Sequence, residues 1–230
     1  MSERVRRAAL VGLGAGFLSG IFGVGGGILI VPALVLLLHF EQRLAHGTSL
    51  AAVLLIAASG LAALALEGKV DWPVGVLLAI GAMGGAVIGT HILHVLPQRV
   101  LGLIFAALLI ATAIRLLTDH SSADGRASLT VGAAIGLVLV GLATGILAGL
   151  LGVGGGIVMV PAMIVLYGIP SAVAKGTSLF VILPTSIMGT WRNRRRRNVD
   201  LRVAAAVGLG GVVSSFPAGL IAARMDESLS

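Results

Sequence analysis

Residues 16–32 read GFLSGIFGVGGGILIVP, and residues 145–161 read GILAGLLGVGGGIVMVP. The second stretch follows the first by 129 positions, and eleven of the seventeen paired residues are identical. The same offset joins AHGTSL at 45–50 to AKGTSL at 174–179, and Val70-Asp71 to Val199-Asp200. Shared apolar composition does not hold one register without a gap over such a length, so the chain is a duplicated unit. At the centre of each copy stands GVGGG, five residues with four glycines, which cannot form a stable stretch of helix.

Around these breaks the chain is suited to hydrocarbon. It has 230 residues, 57% hydrophobic and only 11% charged, with a mean hydropathy of +1.09; a soluble domain carries about a quarter charged residues. Apolar runs of ~20 residues, enough to cross ~30 Å of hydrocarbon, recur throughout. The expected fold is an all-α integral membrane protein. Two homologous repeats of transmembrane helices each begin with a glycine-broken helix, re-entrant or kinked. Broken helices are expected at 8–38 and 136–167, unbroken ones at 45–66 and 175–190, and further ones at 72–95 and 202–224. The first copy adds a fourth at 98–117, after Pro97. The first repeat then covers 1–117, and the polar run TDHSSADGRAS at 118–128 is the linker. The second repeat covers 129–230 and lacks a counterpart of 98–117, as if the last helix were lost or the chain truncated.

Most of the 34 glycines have an ordinary reading as close contacts between membrane helices. For the two breaks a second reading competes. Unpaired backbone groups are expensive in hydrocarbon and survive only inside protein or beside a water-filled cavity. Helices restarting at Ile28 and Ile157 would turn free N–H groups and positive dipole ends into that space, which suits an anion. Paired interrupted segments are also the best sequence pointer to a transporter site. The limb at 28–38 reaches only ~16 Å, so it is either the return limb of a hairpin or the second half of one kinked span. A hairpin inverts the two halves relative to each other; a single span leaves them parallel. Residues 192–197 are RNRRRR, while their counterparts at 63–68 are ALALEG. Equivalent loops of opposite charge character favour inversion, with the N-terminus and 192–197 on the cytoplasmic side.

The candidate substrate-binding residues are Gly23, Val24, Gly25, Gly26 and Gly27 with Gly152, Val153, Gly154, Gly155 and Gly156, joined by Thr48, Ser49, Thr177 and Ser178. The four hydroxyls stand at the expected start of the second helix of each unit, where they cap it, donate to an oxyanion, or do both. Just before them are His46 and Lys175, where the copies differ in charge. Lys175 offers a positive charge to an anion and His46 a group for proton coupling; the plainer reading makes both solvated residues at the membrane surface. Asp71 and Asp200 read as N-caps, Trp72 and Trp191 as interfacial anchors, and His91 and His94 as interfacial. No Asp or Glu falls in mid-span, which argues against a cation pump built on a carboxylate relay.

Enzyme motifs are absent. The chain has no cysteine, GVGGG lacks the Lys-Ser/Thr of a P-loop, and neither G-x-S-x-G nor H-E-x-x-H occurs. No catalytic residue, metal site or cofactor is assigned. The net charge of +7 is concentrated in Arg4, Arg6 and Arg7 and in Arg192, Arg194, Arg195, Arg196 and Arg197. Beside membrane helices such clusters set orientation and meet anionic lipid headgroups; nucleic acid is disfavoured, since no aromatic platform accompanies the charge.

Two GVGGG(I/L)xxVP segments, each followed by A-x-G-T-S-L, resemble the TauE/SafE family of sulfite and organosulfur-anion exporters. The likeness covers nearly the whole chain. It implies a secondary transporter, without ATPase subunits, that moves a small anion such as sulfite or a sulfonate across the bacterial inner membrane. The matching positions are the glycine breaks and the GTS residues named above. An anion channel sharing the same site, and a non-transporting scaffold or lipid-binding protein, are the alternatives.

Overall fold

The computed structural model describes residues 3–95, 97, 103 and 130–228; the helix expected at 98–117 and the linker at 118–128 lie essentially outside them. Every regular element among the described residues is a helix. The first half holds α1 (Glu3–Phe22), α2 (Gly27–Leu38), α3 (Gln42–Leu66) and α4 (Trp72–Val95). The second repeats the order with α5 (Val131–Leu151), α6 (Gly156–Tyr167), α7 (Ser171–Arg195) and α8 (Leu201–Ser228). All but α2 and α6 are long and apolar enough to cross a membrane, six in total. The chain is a multi-pass membrane protein.

Both helix breaks occur at the expected residues, with one backbone pattern. Gly23, Gly25 and Gly26 have φ of 69°, 77° and 76°, and Gly152, Gly154 and Gly155 have 69°, 83° and 84°. Side-chain-bearing L-residues rarely adopt these left-handed angles, so the glycines are required by the turn itself. The turn sends α2 back along α1. A Cβ on Gly26 would fall on the Ala15 carbonyl, Leu29 packs at Gly14, and the Arg4 guanidinium lies 5.0 Å above the Phe40 ring. The start of α2 therefore stands opposite the middle of α1, and its end reaches the beginning of α1. In the second half Gly155 faces Thr144 and Ala148, and Tyr167 returns to Gly136. Of the two geometries open to the broken helix, the backbone forms the hairpin.

The most extensive helix packing joins one half to the other. Gly12, Gly16 and Gly20 on α1 meet Val207, Gly211 and Ser215 of α8, while Gly141, Gly145 and Gly149 on α5 meet Leu78, Ala82 and Ala86 of α4. A Cβ at any of the six would strike the partner's backbone, so these glycines serve close packing, as small residues do where no hydrophobic force draws helices together. In both pairs the residue numbers rise together, so the helices run parallel. Serines reinforce the seams: the Ser214 hydroxyl donates to Leu13 O at 2.6 Å, Ser59 to Val212 O at 3.0 Å and Ser215 to Ile56 O at 3.1 Å. The equivalent helices α3 and α7 cross in the middle and run antiparallel, with Gly189 against Leu50 and Gly60 against Leu179.

The boundary that bears on the site differs from expectation. The helices carrying the GTS residues begin at Gln42 and Ser171, so Thr48, Ser49, Thr177 and Ser178 sit well inside them and do not cap them. Glu41 and Pro170 hold the cap positions. The reason is local: Gln42, Arg43, Leu44 and Ala45 are good helix formers and extend the helix outward, and Pro170 fits just before a helix start.

Candidate functional site

Each glycine break is bound to the long helix of the opposite half. The Ser49 hydroxyl donates to Gly152 O at 2.7 Å, and the Ser178 hydroxyl donates to Gly23 O at 2.5 Å. A Cβ on Gly152 would strike the backbone of His46, and one on Gly23 the backbone of Lys175. The threonines make a second symmetric pair of bonds. Asp71 N–H donates to Thr177 Oγ1 at 2.8 Å, and Asp200 N–H to Thr48 Oγ1 at 3.0 Å. Asp71 and Asp200 cap α4 and α8, their carboxylates accepting from Val74 and Val203 N–H. The GTS motif is thus a joint: its serine holds one break and its threonine holds the cap of another helix. All four hydroxyl residues are fully buried.

The two breaks also touch each other. Gly27 lies against Val153, and Gly156 against Val24. Above the junction stand Val53 on α3 and Ile182 on α7, which face both Gly25 and Gly154 and are themselves buried. This pair is related by the same 129-residue offset, the one signal that would have found it in the sequence. Backbone bonds begin again only at Leu29 and Ile30, which donate to Gly26 O, and at Val158 and Met159, which donate to Gly155 O. Among the described residues, the amides of Val24, Gly25, Gly26, Gly27 and Ile28, and of Val153, Gly154, Gly155, Gly156 and Ile157, donate to no backbone acceptor. Two helix N-termini with unused donors therefore converge at the centre of the bundle, where partial positive charge favours an anion.

His46 and Lys175 occupy matched places with unlike environments. His46 is fully buried, with Nδ1 2.5 Å from Leu151 O; a carbonyl only accepts, so Nδ1 carries the proton. The expectation of a solvated surface histidine does not hold for it. Lys175 is half-buried beside Gly23. Ser19, buried without a partner for its hydroxyl one turn before the first break, has Ala148 as its counterpart, so the repeat carries no signal for it. Trp72 and Trp191 are half-exposed, the latter with Arg195 3.9 Å above its ring, as residues at a membrane surface are. His91 is exposed, and the side chain of His94 lies outside the described residues. Among the described residues no cluster of His, Cys, Asp or Glu could hold a metal. A surface concavity of about 350 Å³, lined by Glu3, Arg4, Arg7, Leu37, Leu38 and His39, opens at the mouth of the first hairpin, away from the junction.

Comparison with known proteins identifies a family and relatives for the chain. The family model described as Sulfite exporter TauE/SafE matches residues 1–116 and 137–230. The chain is 29% identical to Probable membrane transporter protein YunE of Bacillus subtilis (strain 168), over 79% of the chain and 75% of the relative. It is 30% identical to a Probable membrane transporter protein of Xylella fastidiosa (strain Temecula1), over 93% of the chain and 83% of the relative. No solved structure matches.

Proposed function

Since the chain belongs to the sulfite exporter TauE/SafE family, and is therefore a membrane transporter and not an enzyme, we propose that it moves a small oxyanion such as sulfite or an organosulfonate, by alternating access about the paired glycine breaks. The observation that carries this reading is the junction itself. Two half-helices start there with unused amides and touch through Gly27 and Gly156. Thr48 and Thr177 accept the Asp200 and Asp71 amides, which leaves each threonine's own proton to be donated. Lys175 supplies positive charge on one side, and His46 a group that can titrate with a coupled proton.

We read the two halves as inverted in the membrane. The antiparallel crossing of α3 and α7 and the two hairpins support this. So does charge: Arg4 lies by Phe40 at the entry to α3, and the end of α7 lies by Gly47. Arg4, Arg6, Arg7, Arg43, Arg192, Arg194, Arg195, Arg196, Arg197 and Arg202 therefore share one end of the bundle, against Lys69, Lys175 and Arg224 toward the other. That end is the cytoplasmic one by the positive-inside rule, in a bacterial inner membrane, where its arginines meet anionic headgroups. Val53 and Ile182 close the centre, which favours an occluded stage of a transporter cycle over an open channel.

Counterflow of labelled sulfite and sulfonates into proteoliposomes tests the proposal, with thermal stability of the purified protein measured beside it. Saturable flux, and a melting temperature raised by the same anion, are expected. No saturable flux for any oxyanion, with no stabilisation, sinks it; currents far above transporter turnover convert it to a channel.

A further inference from the structure

The two long central helices are not equivalent in the polar groups they bury. On α7, Ser186, Thr190 and Asn193 follow one another at spacings of four and three, so they share one face of the helix. This face looks toward α3: Gly189, within the same stretch, packs on Leu50, and Asn193 Cβ lies beside Gly47. Ser186 and Asn193 are fully buried. Ser186 Oγ, Thr190 Oγ1 and Asn193 Oδ1 are inaccessible and make no hydrogen bond.

Neighbouring residues show that this is not how the helix treats every hydroxyl. Thr185, next in the chain, donates back to Val181 O and Ile182 O at 2.8 and 2.9 Å, the usual way for a helical threonine to satisfy itself. Asn193 uses Nδ2 in this manner, on Gly189 O at 2.9 Å, and leaves its oxygen open. The matched positions on α3 are Ala57, Leu61 and Leu64, so the fold accepts apolar side chains there. Three open polar atoms in a row call for a partner from outside the protein, because a buried polar group without one is costly and ordered water or a ligand is the common remedy. The row starts one turn past Ile182 at the glycine junction and ends beside Arg192 and Arg194.

We propose that Ser186, Thr190 and Asn193 line the half of the permeation path between the glycine junction and the arginine-rich end. In the state open to that end the row is wetted and its hydroxyls donate to the passing oxyanion. The opposite half, lined by Ala57, Leu61 and Leu64, is dry and acts as the thicker seal. This inference rests on the transport reading above and gives that path a polar side and an apolar side.

The absence of cysteine makes the native chain a ready background for the test. S186C, T190C, N193C and, as partners, A57C, L61C and L64C are placed singly in oriented proteoliposomes. A membrane-impermeant anionic thiosulfonate is applied from the arginine-rich face, with and without methanesulfonate. The first three label from that face and are protected by methanesulfonate, while the second three do not label from it. Absence of labelling in the first three, or equal labelling of both sets from that face, overturns the proposal. A triple variant, S186A/T190L/N193L, copies the residues of α3 and gives a second reading. It melts at higher temperature, since it removes unsatisfied buried groups, yet transports about tenfold more slowly, one lost hydrogen bond to a charged ligand being worth roughly that factor. A higher melting temperature with unchanged flux makes the row purely structural and also overturns the proposal. Labelling does not depend on flux. An absence of flux in the unmodified protein therefore counts against the transport reading, and an absence of labelling in a transporting protein against the polar path.

Discussion

Helices α3 and α7 hold equivalent places in the two halves and share the same joints. Each donates a serine hydroxyl to the glycine break of the other half and receives a capping aspartate's amide on its threonine. Beyond the joints they part. The most apolar window of α3 has a mean hydropathy of 2.3, and that of α7 only 1.3. His46 is matched by Lys175, Leu55 by Pro184, and Ala57, Leu61 and Leu64 by Ser186, Thr190 and Asn193. The shared residues build the junction; the unshared ones make its two sides chemically different. Such a difference lets the two faces of the junction present different affinities, which a perfectly symmetric pair of half-sites does not.

The most severe way to break the symmetric part is Gly26→Val. A β-branched residue at φ 76° is strained, and its Cβ meets the Ala15 carbonyl; strain of about 1–3 kcal/mol and overpacking of a similar ~1–3 kcal/mol add up to loss of folded protein in a detergent melt. A Gly26 variant is for this reason a poor probe of transport alone. Gly155→Val shares the strain at φ 84° but has more room at Thr144, so it is the milder of the two. An equal loss in both would show that strain outweighs the contact.

Next come the joints. Ser49→Ala and Ser178→Ala each leave a buried glycine carbonyl without its donor, at about 1–3 kcal/mol. Chemical denaturation should give closely similar losses for the two. A difference beyond about 1 kcal/mol, the scale of one hydrogen bond, would mean that the halves are not held alike. The unshared pair is tested by Lys175→Gln and His46→Gln. Loss of the lysine charge raises the half-saturating anion concentration about five- to tenfold, the scale of a 1–1.4 kcal/mol coupling. Replacing the histidine instead flattens the dependence of flux on pH. If both variants changed only affinity, proton coupling at His46 would be ruled out. The smallest effects belong to the caps: Asp71→Ala and Asp200→Ala each cost about 1 kcal/mol of stability, read as a matched fall in melting temperature.

Much of this was legible in the residues themselves. The 129-residue register located both breaks, and GVGGG required the left-handed turns found at Gly23, Gly25 and Gly26 and at their counterparts. Asp71 and Asp200 announced the starts of α4 and α8, because an N-cap is a local signal. The helix starts at Gln42 and Ser171 lie a few residues before the starts that the sequence suggests. There the boundary is set by ordinary helix formers and by Pro170, residues that carry no motif.

What the chain determined alone was the local chemistry: apolar spans, two places where no helix continues, and a duplication that relates them. Only the tertiary structure decided that the limb after each break folds back, that each break is gripped by the other half, and that the GTS hydroxyls are joints. It also decided which glycines merely pack and which stand at the junction, and that Ser186, Thr190 and Asn193 share a sealed face. The reason is separation along the chain. Ser49 and Gly152 lie 103 residues apart, and Ser178 and Gly23 lie 155 apart. Contacts so distant leave no periodic trace in either partner, and they exist only once the two halves have interlocked.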